Sequence, residues 1–177
     1  MPFAITGWEA LSVAQKTVVF GTTILSAAVL AVSLVGQMSP GSRHRLDPAG
    51  LPIAILALLL LDIAAAFRPQ SDAAFIGRSF SCLRSGLTYS LFAAIVFLSM
   101  ARNGAMLVPA LTGATVGGLA GLTGFTVLET NCPNQNVFHI LAGHWGVIVI
   151  SLGAGAALGV AADYVHGLRA NRNPRPL

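Results

Sequence analysis

Charge is scarce in this sequence: only 9% of its 177 residues are charged, ten Lys and Arg against six Asp and Glu. With 55% hydrophobic residues and a mean hydropathy of +0.76, that scarcity excludes a soluble domain, whose core could not hide so much apolar surface. The constellations of catalysis are missing as well. There is no nucleophile–base pair, no paired carboxylates, no phosphate loop and no haem-attachment motif, so the chain is not expected to be an enzyme. At about 20 residues per span, the length leaves room for five or six helices and no separate catalytic domain. The net charge of +4 and a pI near 9.8 would suit nucleic acid, but the basic residues are scattered at helix ends instead of being clustered on one face. Direct nucleic-acid contact is therefore not expected.

What is present is a succession of apolar runs at 17–37, 51–67, 79–100, 106–128 and 137–165. They predict an all-α fold, a single domain over residues 1–177 forming an integral membrane bundle of about five transmembrane helices, the second only just long enough to span. Turn chemistry separates the runs: Ser39-Pro40-Gly41, Arg68-Pro69-Gln70-Ser71-Asp72, Arg102-Asn103-Gly104 and Asn131-Cys132-Pro133-Asn134. Pro52 and Pro109 fall near helix starts, where a missing N–H does little harm. The first run is read as a span and not as a signal peptide. It exceeds an ordinary h-region, and the residues before it include Trp8 and Glu9 with Lys16 as their one basic residue.

Basic residues set the expected orientation. Arg43, Arg45, Arg102, Arg169, Arg172 and Arg175 fall on one side, Lys16, Arg68, Arg78 and Arg84 on the other, and the loop 129–136 carries no basic residue. Five spans then put the N-terminus outside and the C-terminus in the cytoplasm. The basic tail 166–177 is also suited to anionic lipid head groups.

Gly113, Gly117 and Gly121 recur every four residues in the fourth run, and Gly155 and Gly159 repeat the theme in the fifth. Such stripes let helix backbones approach closely, and they predict the fourth helix packed on the fifth. Packing within the chain and an intermolecular or sliding interface both remain open at this level. Asp62, inside the second run, is expected to be a protonated or hydrogen-bonded carboxyl, since no second acid accompanies it there.

The polar chemistry gathers at one expected membrane face. Cys82 opens the third run, Cys132 follows the fourth, and His139 and His144 open the fifth, with the carboxylate of Glu129 alongside, and these five residues together make a metal-ligand inventory. Thiolate and imidazole suit zinc, copper and other thiophilic ions. In an α-helix of 3.6 residues per turn, residues five apart point about 140° away from each other, so at most one histidine is expected to join a cysteine-based site. A Cys82–Cys132 disulfide in an oxidising compartment, a metal or redox sensor, and two inert thiols in a packed helix cap all stay open.

The run Gly77-Arg78-Ser79-Phe80-Ser81-Cys82-Leu83 opens a span. With the later Gly-rich helix, Asn131-Cys132-Pro133-Asn134 and the helix start bearing Trp145, it resembles the NrsF-type family of polytopic bacterial anti-sigma factors. The resemblance covers about the last 100 residues well and runs more loosely back through Lys16. It implies a regulator in the bacterial inner membrane that holds an extracytoplasmic-function sigma factor until an outside stress is sensed. It also implies that Cys82 and Cys132 match the family's two periplasmic cysteines, which respond to thiol-reactive metals or oxidants. Compared with that family's six spans, this chain is expected to lack the first. The cytoplasmic surface left to a sigma factor would then include Arg43, Arg45, Arg102 and Arg169. The alternative is a small accessory subunit of a larger membrane complex, with other membrane subunits as partners, since Gly-striped helices and short loops also serve assembly.

Overall fold

The computed structural model describes residues 6–39, 50–70, 75–101 and 108–172, with side chains to residue 165. Among the described residues the regular structure is helical, with no strand: α1 (Thr6–Ala10), α2 (Val13–Met38), α3 (Gly50–Ala66), α4 (Phe75–Ala101), α5 (Pro109–Asn131), α6 (Val137–His139), a π-helical turn (Ile140–Trp145) and α7 (Gly146–Arg172). The last three are continuous. Each expected apolar run is a helix.

Four stretches are long and apolar enough to cross a membrane: Val13–Met38, Phe75–Ala101, Pro109–Asn131 and Val137–Val165. The fifth expected span, α3, is apolar but has only 17 residues, about 26 Å at 1.5 Å per residue against a hydrocarbon core of about 30 Å.

Helix starts follow the local chemistry. Ser12 caps α2 in a reciprocal box, its hydroxyl accepting from the Gln15 amide while the Gln15 side chain accepts from the Ser12 amide. Pro109 opens α5, where its missing N–H breaks no bond.

The bundle is arranged around α5. In its most apolar window 78% of residues are buried, against 28% for α2, 11% for α4 and 17% for 137–165. A helix enclosed on all sides must be thin, and the small residues of α5 make it so. Four of its five threonines, Thr115, Thr123, Thr126 and Thr130, each donate to a carbonyl one turn back, while the Thr112 hydroxyl is buried without a partner. Gln37 at the end of α2 donates to the Thr115 hydroxyl at 3.1 Å and ties those two helices.

The glycine stripe faces α7. A methyl group on Gly113 would run into the Gly155 carbonyl, one on Gly117 into that of Ser151, one on Gly159 into that of Pro109, and one on Gly121 would lie 2.7 Å from the Ile148 Cα. The expected pairing of the two Gly-bearing helices is thus found within one chain. Gly153 differs, because a methyl there would meet nothing within 4 Å. Large apolar side chains such as Val32, Ile53, Phe80, Phe92 and Leu158 remain exposed around the outside.

The chain alternates between the two ends of the bundle. The start of α2 meets the end of α3 through Gln15 and the Ala66 carbonyl. Arg68 pairs with Asn136 in an isolated bridge, and the Asn136 amide donates to the Gln70 carbonyl at 2.7 Å. These contacts gather α1, the start of α4 and the 132–136 loop at one end.

Candidate metal and thiol site

The gathered end brings together the cysteines and histidines from three segments. Cys82 lies two turns into α4, Cys132 caps α5 with its amide on the Leu128 carbonyl at 2.7 Å, and the histidines lie on α6 and the π turn. The Asn134 side chain accepts from the Asn136 amide, and the Asn136 side chain accepts in turn from Phe138. Loop and helix start are thereby held in one shape.

One expectation is corrected here. His139 and His144 are not splayed about 140° apart, because the helix widens between them. The Gly146 amide reaches the Leu141 carbonyl, five residues back, and an i→i+5 turn returns residues five apart to one face. Their rings lie 5.2 Å apart, edge to face. Gly143, inside that turn, gives α4 room to approach: a methyl there would sit 3.1 Å from the Ser79 carbonyl and 3.4 Å from the Cys82 Cβ. Both histidines therefore face the cysteines.

Cys82 and Cys132 are free thiols with sulfurs 3.6 Å apart. The Sγ of Cys132 is 3.3 Å from His139 Nε2. One ligand atom from each of Cys82, Cys132, His139 and His144 falls within 4.8 Å of all the others. The cysteines are half-buried and the histidines buried. This donor set can hold a metal ion.

Glu129 stands behind this group. Its carboxylate takes His144 Nδ1 at 2.7 Å, with both side chains 1% exposed. Sequence reasoning missed Ser79, whose hydroxyl lies 3.2 Å from His139 Nδ1. The signal was available, since Ser79 and Cys82 are three apart on α4 and so share a face.

The Cys132 thiol is held well below the usual thiol range, first by the hydrogen bond from the Cys82 thiol, which outweighs burial, and then by the His139 ring. Both cysteines open on a cleft lined also by Gln70, Ser81, Pro133 and Asn134. The short helix α1 lies over the loop. Thr6 donates to the Asn131 carbonyl at 2.9 Å, and Gly7 comes so near that a methyl on it would be 2.6 Å from the Glu129 carbonyl and 2.8 Å from the Cys132 amide.

The remaining expected site residues lie elsewhere. Gly113, Gly117, Gly121, Gly155 and Gly159 form the α5–α7 seam. Asp62 is on α3 outside the cluster, with one carboxylate oxygen buried and unpaired. Arg43, Arg45 and Arg102 fall outside the described residues, and Arg169 is placed only as part of α7.

A family model described as NrsF, Negative regulator of sigma F, matches residues 6–162. The match takes in every described helix from α1 to most of α7. No curated protein and no solved structure matches the chain.

Proposed function

The chain belongs to the NrsF family of negative regulators of a sigma factor, and on that premise we propose that it is a non-catalytic anti-sigma factor of the bacterial inner membrane. In this reading it holds an extracytoplasmic-function sigma factor on its cytoplasmic side. It responds outside to a thiol-reactive metal or oxidant at Cys82 and Cys132. The observation that carries the reading is the 3.6 Å approach of the two sulfurs, which come from α4 and from the loop after α5.

Several features support the membrane assignment. Four helices have the length and apolarity to span, and α3 serves as a fifth, thin span because its end meets the start of α2. The exposed apolar side chains around the bundle suit lipid contact. Five crossings with the N-terminus outside put the cysteine end in the periplasm and the Arg43, Arg45, Arg102 and Arg169 positions in the cytoplasm.

A ligand drawn to both cysteines pulls α4 toward the 132–136 loop. Since α5 and α7 are locked backbone to backbone, that pull moves α4 against the α5–α7 pair instead of separating the pair. The displacement reaches the cytoplasmic ends of these helices, where the sigma factor is held. Complete release needs a differential affinity of about 10⁴-fold between the two states, about 5.5 kcal/mol, a magnitude within reach of thiolate coordination.

A mild-detergent pull-down of the tagged chain from native membranes, with and without a thiol-reactive metal, tests the reading. A sigma factor bound at rest and released by the metal is expected. Recovery of stoichiometric membrane proteins alone, unchanged by metal, would overturn the proposal in favour of an accessory subunit.

A further inference from the structure

The two histidines present the same atom to the cysteines for separate reasons. A carboxylate only accepts hydrogen bonds, so with Glu129 Oε1 at 2.7 Å from His144 Nδ1 a ring hydrogen sits on Nδ1, and in the neutral ring the lone pair falls on Nε2. That Nε2 is buried and has no hydrogen-bond partner, in a side chain 1% exposed. An orphaned acceptor in such a place costs about 1–3 kcal/mol unless something fills it. His139 is turned the same way, its Nδ1 on Ser79 and its Nε2 on Cys132. In metal centres, ligating histidines are oriented in this manner by a carboxylate or another hydrogen-bonding oxygen on the far nitrogen.

The spacing fits a small tetrahedron. With metal–sulfur bonds of about 2.3 Å and metal–nitrogen bonds of about 2.05 Å, tetrahedral geometry separates two sulfurs by about 3.8 Å and a sulfur from a nitrogen by about 3.6 Å. The structure has 3.6 Å between the sulfurs and 3.3 Å from Cys132 Sγ to His139 Nε2, and the four ligand atoms, within 4.8 Å of one another, need draw in by about 1 Å at most to close around an ion. Hard cations are disfavoured, because the one carboxylate at hand is already committed to His144.

We propose that Cys82 Sγ, Cys132 Sγ, His139 Nε2 and His144 Nε2 together bind one tetrahedral divalent cation of the zinc class, Zn²⁺ or Cd²⁺, as a closed four-ligand site. Two thiolates neutralise the ion, the histidines complete its shell, and Glu129 and Ser79 position the rings without touching the metal. The cleft beside Cys82 and Cys132 gives the ion its way in. Bound there, it fastens α4 to the 132–136 loop and to the π turn. The ligand set stands on its own geometry, while its regulatory meaning rests on the sensor reading above.

The test uses the full chain, reduced and purified in detergent, loaded with Zn²⁺ alone. X-ray absorption is expected to show two sulfurs at about 2.3 Å and two nitrogens at about 2.0–2.1 Å with one ion per chain. A sulfur-only shell, an oxygen-rich six-coordinate shell or no retained ion would overturn the proposal. In competition with a chromophoric chelator, His139→Ala and His144→Ala should each weaken binding by more than the 10–100-fold loss typical of removing an outer partner. Unchanged affinity in either would remove that residue from the shell and overturn the closed site. The two proposals fail separately. A two-sulfur, two-nitrogen shell whose loading leaves sigma retention unchanged keeps the site and rejects the sensor. Metal-triggered release with a sulfur-only shell does the reverse.

Discussion

Between Pro109 and Gly121, α5 touches α7 backbone to backbone, whereas beyond Glu129 the same two segments meet through the side chains of Glu129, Cys132, His139 and His144. At the seam, contact depends on side chains that are absent, and the surfaces fit in one way only. At the cluster, contact depends on rings and thiols whose partners set their direction, and the helix itself widens by a π turn to present them. The seam carries the persistence of the fold and the cluster carries its chemistry. Placing a responsive site next to a rigid pair gives any pull at the cysteines a fixed frame to act against.

The sharpest way to break that contrast is to put a side chain into the seam. Gly117→Val should have the largest effect of any change considered, because the obstacle is the Ser151 carbonyl and not a movable side chain. A loss of at least about 3 kcal/mol, the top of the ordinary overpacking range, is expected as a fall in folded monomer recovered in detergent. Gly153→Ala faces open space and should leave recovery unchanged. Equal damage from both would mean that close approach does not set the cost, since helix propensity by itself favours the alanine.

At the cluster, Cys82→Ser and Cys132→Ser should leave the bundle folded and the sigma factor bound, yet each should abolish metal-triggered release in the pull-down. Sharing one site, they should behave alike, and opposite phenotypes would sink the idea of a single site. A smaller loss is expected from Glu129→Gln, which keeps the acceptor on His144 but removes its charge. Zinc affinity, read by chelator competition, should fall about 10–100-fold with folded yield unaffected. A collapse of yield instead would assign Glu129 to the frame and erase the distinction between the two regions.

The seam was largely legible from sequence, since a four-residue glycine period in two helices predicts their close pairing; only whether the pairing lies within one chain had to be seen, and Gly113 against Gly155 settles that. The helices were legible too, from unbroken apolar runs. The cluster was legible as an inventory and not as an arrangement. Cys82, Cys132, His139, His144 and Glu129 could be named, but an assumed 3.6-residue period turned the histidines away from each other. A π turn leaves little trace in composition, and Gly143 and Gly146 within Ala142-Gly143-His144-Trp145-Gly146 point to it only once α4 is seen against Gly143. Glu129 was grouped with the ligands because sequence proximity does not separate a ligand from the group that holds it.

The finest division falls between the two ring-positioning groups. Glu129 offers a charged acceptor at 2.7 Å from His144, and Ser79 a neutral hydroxyl at 3.2 Å from His139. Charge-assisted hydrogen bonds are roughly twice as strong as neutral ones, so Ser79→Ala should weaken zinc binding by less than Glu129→Gln does, by about tenfold at most. Loss of the hydroxyl removes the partner of His139 Nδ1 but does not strand a buried charge. His139 also retains a second restraint, since its Nε2 already lies 3.3 Å from Cys132, whereas His144 Nε2 has no partner to hold the ring once Glu129 is altered. If Ser79→Ala proved the more damaging in the same competition assay, orientation would come chiefly from α4 across the bundle. The cluster would then depend on the position of α4, the helix that the regulatory reading requires to move.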